Sequence, residues 1–400
     1  MYFRYAASSE KKLEWAVRMF EAWRTARNAA AMTCSNMSTI APDIELVDFT
    51  ADQLNFALSR FVIETKKQNG EDYPGKTLRE IILCVQMYLE KRGIVHRFFT
   101  DPQFKELTNT VDNTMKLRAQ QGIGTNVKQA QEITLDEEEM LWTKGVLGSD
   151  NPKTLRQTVF YLLGVHFALR GGKEHRNLRA GDTSQFSLHV DSEGTEYLQY
   201  CEDATKNNQG GLKHARVGHK VVRAYAITNK NRCVVNLYKR YLSLCPVPRP
   251  VPFYLKELKN YTSDCWYGKQ QLGVHPLEKV VSEIARDGGI PGYRTNHSLR
   301  VTAASRLYQA DVDEQLIKEV TGHRSDAVRN YKRTTEPMKR KLSAILAGEQ
   351  APPTLKTVAQ PTVIQPTFSV TQPTSSAIQP TASRDNPTGK TITFNMNIHF

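Results

Sequence analysis

Residues 295–333, TNHSLRVTAASRLYQADVDEQLIKEVTGHRSDAVRNYKR, decide how the rest of the chain is read. The stretch reads as helix, turn, helix, turn. Leu299, Ala303 and Leu307 recur at helical spacing, and a second stripe carries Leu316, Ile317 and Val320. Gly322 then stands where a helix C-terminus favours a left-handed residue. The polar residues collect at the breaks. His297 and Arg300 open the first helix, His323 follows Gly322, and Tyr331 lies on a short segment behind Ser325. Three residues apart at a helix start, His297 and Arg300 share a face beside the first-turn N–H groups, which suits a phosphate. As an isolated pair they fit a capping histidine and a surface arginine better. Tyr331 alone is an ordinary amphipathic residue, because a phenol of pKa near ~10 attacks only when its charge is stabilised and its proton has an acceptor.

Working outward, the longest apolar run is TVFYLLGVHFAL at 158–169, too short to cross a bilayer, and it ends in Arg170. A guanidinium at the edge of a core needs an anionic partner. It is suited to clamp a phosphate with two parallel hydrogen bonds, although Glu174 offers a structural alternative. After Arg170, Phe186, Leu188 and Val190 alternate, and strand-like sequence returns at TEYLQYCE and ARVGHKVVRAYA. Helical patterns resume at 232–244 and 276–286 and continue to about 347. This predicts a three-stranded antiparallel meander inside a largely helical domain over 134–348.

Upstream, Leu13, Ala16, Val17, Phe20 and Trp23 share a helical face. Thr50 and Gln53 form a capping box, and two more amphipathic helices run near 76–92 and after Asp101-Pro102, so 1–122 reads as a helical bundle. Polar, glycine-containing residues at 119–134 read as a linker, placed at 123–133, and Thr134 with Glu137 caps the next helix. QPT recurs at 360, 365, 372 and 379, which predicts a disordered tail over 349–400. Its last ten residues, TITFNMNIHF, alternate like an edge strand that could add to the sheet of a neighbouring copy.

The composition is consistent with a polyanionic partner: 54 Lys and Arg against 41 Asp and Glu give a net charge of +13. Six scattered cysteines with no C-x-x-C pair argue against a zinc site or a secreted disulfide framework. Without a signal-peptide core, the chain is expected inside the cell.

Taken together, HFALRGGKEHRNL, TNHSLRVTAASRL and TGHRSDAVRNYKR resemble the boxes of tyrosine recombinases, most closely the Crypton-type recombinases of eukaryotic DNA transposons. The resemblance extends over roughly residues 10–348. It implies a mainly α fold with a small antiparallel β-meander (α+β), built as a helical core-binding bundle and a tyrosine-recombinase catalytic domain. It implies Tyr331 as the nucleophile forming a 3′-phosphotyrosyl bond, Arg170 and Arg300 as the phosphate clamp, and His297 as the tyrosine's proton acceptor. His323 would hydrogen-bond the phosphate, and Lys206 would be the general acid, with Lys213 a rival. No metal or other cofactor is implied. The implied partner is double-stranded DNA bound by a homotetramer or dimer in the nucleus, with no membrane. Two further readings share the same boxes: a catalytically inactive host protein that binds DNA and regulates, and a type IB topoisomerase-like activity.

Overall fold

The computed structural model describes residues 7–33, 38–126, 128–203, 219–323, 325–332 and 336–348. They fall into two units, one ending at residue 333 and the other beginning at 334. The expected α+β class is found: helices dominate, and the two small sheets are antiparallel.

The first unit opens on four helices, α1 (Ala7–Ala31), α2 (Ala51–Glu64), α3 (Gly75–Lys91) and α4 (Lys105–Gln120). The apolar stripe of α1 buries Leu13, Ala16 and Phe20, with Val17 and Trp23 partly covered. Phe20 and Trp23 both meet Phe61 edge-on, at 5.7 and 5.4 Å between ring centroids. Each such side chain taken from water contributes about 1.5–3 kcal/mol. Thr50 and Gln53 close the expected reciprocal cap on α2, and Gly93, at φ +88°, ends α3.

A second core shares no residue with the first. It is built from α5 (Leu135–Thr143), α6 (Pro152–His166), α7 (Lys173–Arg176), β1 (Phe186–Val190), β2 (Glu196–Cys201), β3 (Val221–Tyr225), α8 (Val234–Ser243), β4 (Leu255–Glu257), β5 (Tyr267–Gln271) and α9 (Val274–Gly288). Next come α10 (His297–Gln309), α11 (Glu314–Thr321) and a 3-10 helix, Asp326–Tyr331. The second unit contributes α12 (Glu336–Leu346) to the described residues. The end of the polar segment before α5 is packed on this core. Ile133 is buried and donates its N–H to Thr302 Oγ1 at 2.8 Å, and Gln131 N–H reaches Tyr293 O at 3.0 Å.

The predicted meander forms in the order β1-β2-β3. The alternation of β1 does not translate into burial, since Phe186 is 5% exposed but Leu188 is 42% and Val190 61%. Phe186 alone reaches the aromatic cluster, against Tyr238 and Phe253, and the strand then runs off the core. The β4-β5 pair was not legible in advance, because a three-residue strand carries no period to detect. No helix among the described residues is long and apolar enough to cross a membrane. Lys206, Lys213 and the whole of 349–400, with TITFNMNIHF, lie outside the described residues.

Candidate active site

The site grows from the C-terminus of α6. The last carbonyls of a helix lack partners within it and carry partial negative charge, so they attract cationic side chains. After Phe167 the chain turns through Ala168, held at φ +45°. Phe167 O accepts from Lys220 Nζ, and Ala168 O accepts from Arg300 Nη1 at 2.7 Å. Arg170, two residues on, donates from Nη2 to Gly322 O at 3.3 Å. Gly322 is the left-handed cap of α11, at φ +68°, as expected.

Arg300 is 1% exposed, which removes the reading as a surface arginine. Burial lowers its pKa to about 10, with the Arg170 charge adding to the effect and the nearby Tyr331 hydroxyl opposing it. It stays charged at neutral pH. Arg170 is only part-buried. Burial disfavours its charge, but Glu174 and then Glu202 more than compensate, so its pKa lies above the ordinary value. Glu174 accepts from both the Arg170 backbone N–H (2.6 Å) and Nη1 (2.8 Å), and Glu202 takes Nη1 at 3.2 Å. The structural alternative for Arg170 is therefore realised, and the same contacts fix the direction of its guanidinium.

His323 sits between these arginines and the tyrosine. Thr321 Oγ1 donates to Ile317 O at 2.6 Å, so it accepts from His323 Nδ1 at 2.7 Å. That assigns the proton to Nδ1 and leaves Nε2 to accept from Arg300 Nη2 at 3.2 Å. Burial, followed by the Arg300 and Arg170 charges, holds the His323 pKa down at about 3, so the ring is neutral. In this arrangement His323 accepts from Arg300.

Tyr331 ends the 3-10 helix that Ser325 caps. Val328, fully buried against Tyr308 and Ile317, anchors that turn on α10 and α11. Ser305 Oγ donates to Tyr331 O at 3.3 Å. The phenol is left half-buried, with its oxygen 3.2 Å from His297 Nε2. The His323 ring centroid lies 5.2 Å from that of Tyr331. Thus Arg170, His297, Arg300, His323 and Tyr331, from three separate stretches, meet in one cleft. Lys206 lies outside the described residues. Sequence reasoning missed Lys220 and Glu202, which face each other across the base of the β2–β3 hairpin, with Glu202 N–H on Lys220 O at 2.9 Å. One signal was available: in KVVRA, Lys220 shares the inward period of Val222 and Ala224.

Residues 132–286 match a family model described as a domain of unknown function, DUF3504, and residues 10–117 match a QRICH1 domain. The first match contains Arg170 and Lys206 but ends before His297. The human transcriptional regulator QRICH1 is 25% identical over 255 residues, covering 60% of this chain and 31% of that protein. Human zinc finger MYM-type protein 2 is 25% identical over 254 residues, with 60% and 18% covered. The mouse homologue of the uncharacterised protein KIAA1958 is 25% identical over 252 residues, with 60% and 34% covered. The chain therefore spans about a third or less of these relatives. Among solved structures, the Tn1549 transposon integrase with a circular intermediate DNA has a TM-score of 0.45 at 11% identity, covering 86% of this chain and 95% of that one. The XerH recombinase bound to difH in its pre-cleavage complex has a TM-score of 0.41 at 16% identity, with 76% and 72% covered.

Proposed function

We propose that this chain cuts and rejoins double-stranded DNA through a 3′-phosphotyrosyl intermediate, as a site-specific recombinase of the tyrosine class. The observation that carries the reading is the 3.2 Å contact between Tyr331 Oη and His297 Nε2, made beside two guanidiniums that backbone carbonyls hold in place. A phenol needs a proton acceptor and a nearby positive charge to attack, and this cleft offers both. In the proposed step Tyr331 Oη attacks a backbone phosphorus, passes its proton to His297, and expels the 5′ oxygen. Arg170 and Arg300 stabilise the charge on the non-bridging oxygens. Lys206 is the proposed donor of a proton to the leaving oxygen. His323 would turn its Nε2 toward phosphate only after its ring changes tautomer or gains a proton. The phosphotyrosyl bond stores the energy for religation, so the scheme uses neither ATP nor a metal. The proposed setting is the nucleus, with two or four copies assembled on DNA to mobilise a transposon of the Crypton kind.

A second reading has its own support. A relative at 25% identity is named a transcriptional regulator, so a descendant that binds DNA without cutting it would fit the same fold. One experiment separates the two: incubation with a nicked suicide duplex, followed by denaturing electrophoresis. The recombinase reading expects a covalent protein–DNA adduct that Tyr331→Phe abolishes while DNA affinity stays within about threefold, because phosphate contacts supply most of it. No adduct with the wild-type chain, despite tight binding, leaves the regulator reading in its place.

A further inference from the structure

Lys220 has no part in the scheme above, yet it stands at the crossing of the site's supports. Its ammonium caps Phe167 O at the end of α6, next to the carbonyl that holds Arg300. Its backbone oxygen accepts from Glu202 N–H, and Glu202 in turn grips Arg170. Its side chain runs against Gly322, where an added Cβ would lie 3.2 Å from Lys220 Cδ and 3.9 Å from Arg170 Nη2. One lysine thus ties the base of the β2–β3 hairpin to α6 and to the cap of α11.

We propose that Lys220 is a positioning residue of the cleft, pinning the hairpin base to α6 and taking up a proton as a phosphodiester enters between Arg170 and Arg300. The inference rests on the cleft being a DNA phosphate site. The groups facing Lys220 are Arg300 from α10, His323 after α11, Arg170 and Glu174 between α6 and α7, and Glu202 and Tyr200 from β2. Two guanidiniums and two carboxylates nearly cancel, so desolvation decides. Burial first, and then the Arg300 charge, bring the Lys220 pKa down to about 7. A phosphodiester adds one negative charge to this group and restores the ammonium form. Above neutrality the free site then holds a proton less often than the occupied site. By linkage, affinity for DNA falls as pH rises through the free-site value toward the occupied one. An ammonium formed at that moment also strengthens the cap on Phe167 O.

The test is calorimetric titration of the full chain with a mixed-sequence duplex of about forty base pairs, at pH 7.5, in two buffers of different ionisation enthalpy. Sequence is immaterial because phosphate contacts carry nonspecific binding. Wild type is expected to take up on the order of half a proton per bound site. Lys220→Arg, permanently charged and still able to cap Phe167 O, should bind within about threefold of wild type with that uptake gone. Lys220→Met should lose both the uptake and about tenfold or more in affinity, a loss that the arginine rescues. Equal uptake by wild type and Lys220→Arg assigns the proton elsewhere and overturns the inference. DNA binding by wild type without uptake overturns it too, while leaving the recombinase reading intact. A wild-type chain that does not bind DNA at all defeats the recombinase reading, and this inference with it.

Discussion

Arg300 shows what a single side chain can be asked to do. It is fully buried, donates to Ala168 O, and faces the His323 ring, so its fork is oriented before any phosphate arrives. Lysine offers a point charge with no second arm to hold that carbonyl. Arg300→Lys should therefore slow single-turnover cleavage by on the order of 10²–10³-fold, close to Arg300→Ala, as loss of a preorganised donor does. Near-wild-type cleavage by the lysine variant would show that charge alone suffices. A second residue-scale prediction concerns acid. His175 is fully buried, with Nδ1 2.9 Å from Tyr254 Oη and its ring stacked on Phe160, and burial lowers its pKa to about 3. Between its ordinary value of 6.5 and about 3, the unfolded chain binds a proton that the folded chain does not, so stability falls as pH falls through that window. The slope is at most about 1.4 kcal/mol per pH unit. Urea unfolding at pH 7 and pH 5 should show the loss, and His175→Gln should reduce it, leaving the share that His323, also held neutral by burial, contributes. The clustering of Arg170, His297, Arg300, His323 and Tyr331 was legible through the resemblance of the three boxes that carry them, since their places near the ends of helices and apolar runs do not by themselves bring Arg170 to the other four. Lys220 was not, since its partner, Phe167 O, is 53 residues away and a backbone carbonyl leaves no mark in sequence.

Between elements, the crossing of α6 and α10 positions the proposed clamp. At Gly164 a Cβ would lie 2.2 Å from Leu299 Cδ1 and 3.1 Å from Leu299 Cβ, so the two helices approach where α6 has no side chain. Leu299 directly precedes Arg300, and the turn that ends α6 carries the carbonyls of Phe167 and Ala168 that hold Lys220 and Arg300. Gly164→Ala should force α10 outward, costing about 1–3 kcal/mol from overpacking. Cleavage should fall by more than the folded fraction accounts for, since a displacement of about an ångström costs ~100-fold in rate. Thermal unfolding and cleavage measured on the same preparation test this; a variant that loses stability but keeps full activity would uncouple the crossing from the clamp. Local chemistry made several elements legible: the caps at Thr50 and Thr134 both form with the reciprocal bonds their sequence announces. Tertiary context decided the others. Nothing in Leu188 or Val190 indicates that β1 leaves the core after one residue, and β4 pairs with β5 through contacts that no short window contains.

At the scale of the molecule, two cores that share no residue match two different family models, QRICH1 over 10–117 and DUF3504 over 132–286. On the proposed function they would be two DNA-contacting halves joined by a short tether, which together would neutralise more phosphates than either could. The tether is shorter than its composition implies, because Gln131 and Ile133 are already bonded into the second core. A cut at 134 would strip that core of a buried isoleucine, so the informative fragment begins at 128 and ends at 348. Joined halves bind as one, since the second contact becomes intramolecular once the first is made. The fragment should bind a duplex at least tenfold more weakly than the full chain. Its affinity should also fall less steeply with salt, because the slope counts the phosphates neutralised, at about 0.9 per contact. Both quantities come from one set of anisotropy titrations at several salt concentrations, and together they discriminate. A weaker fragment with an unchanged slope would mean that the bundle stabilises the second core without touching DNA. Equal affinity and equal slope would leave the bundle no part in binding, and the two-halved clamp would be wrong.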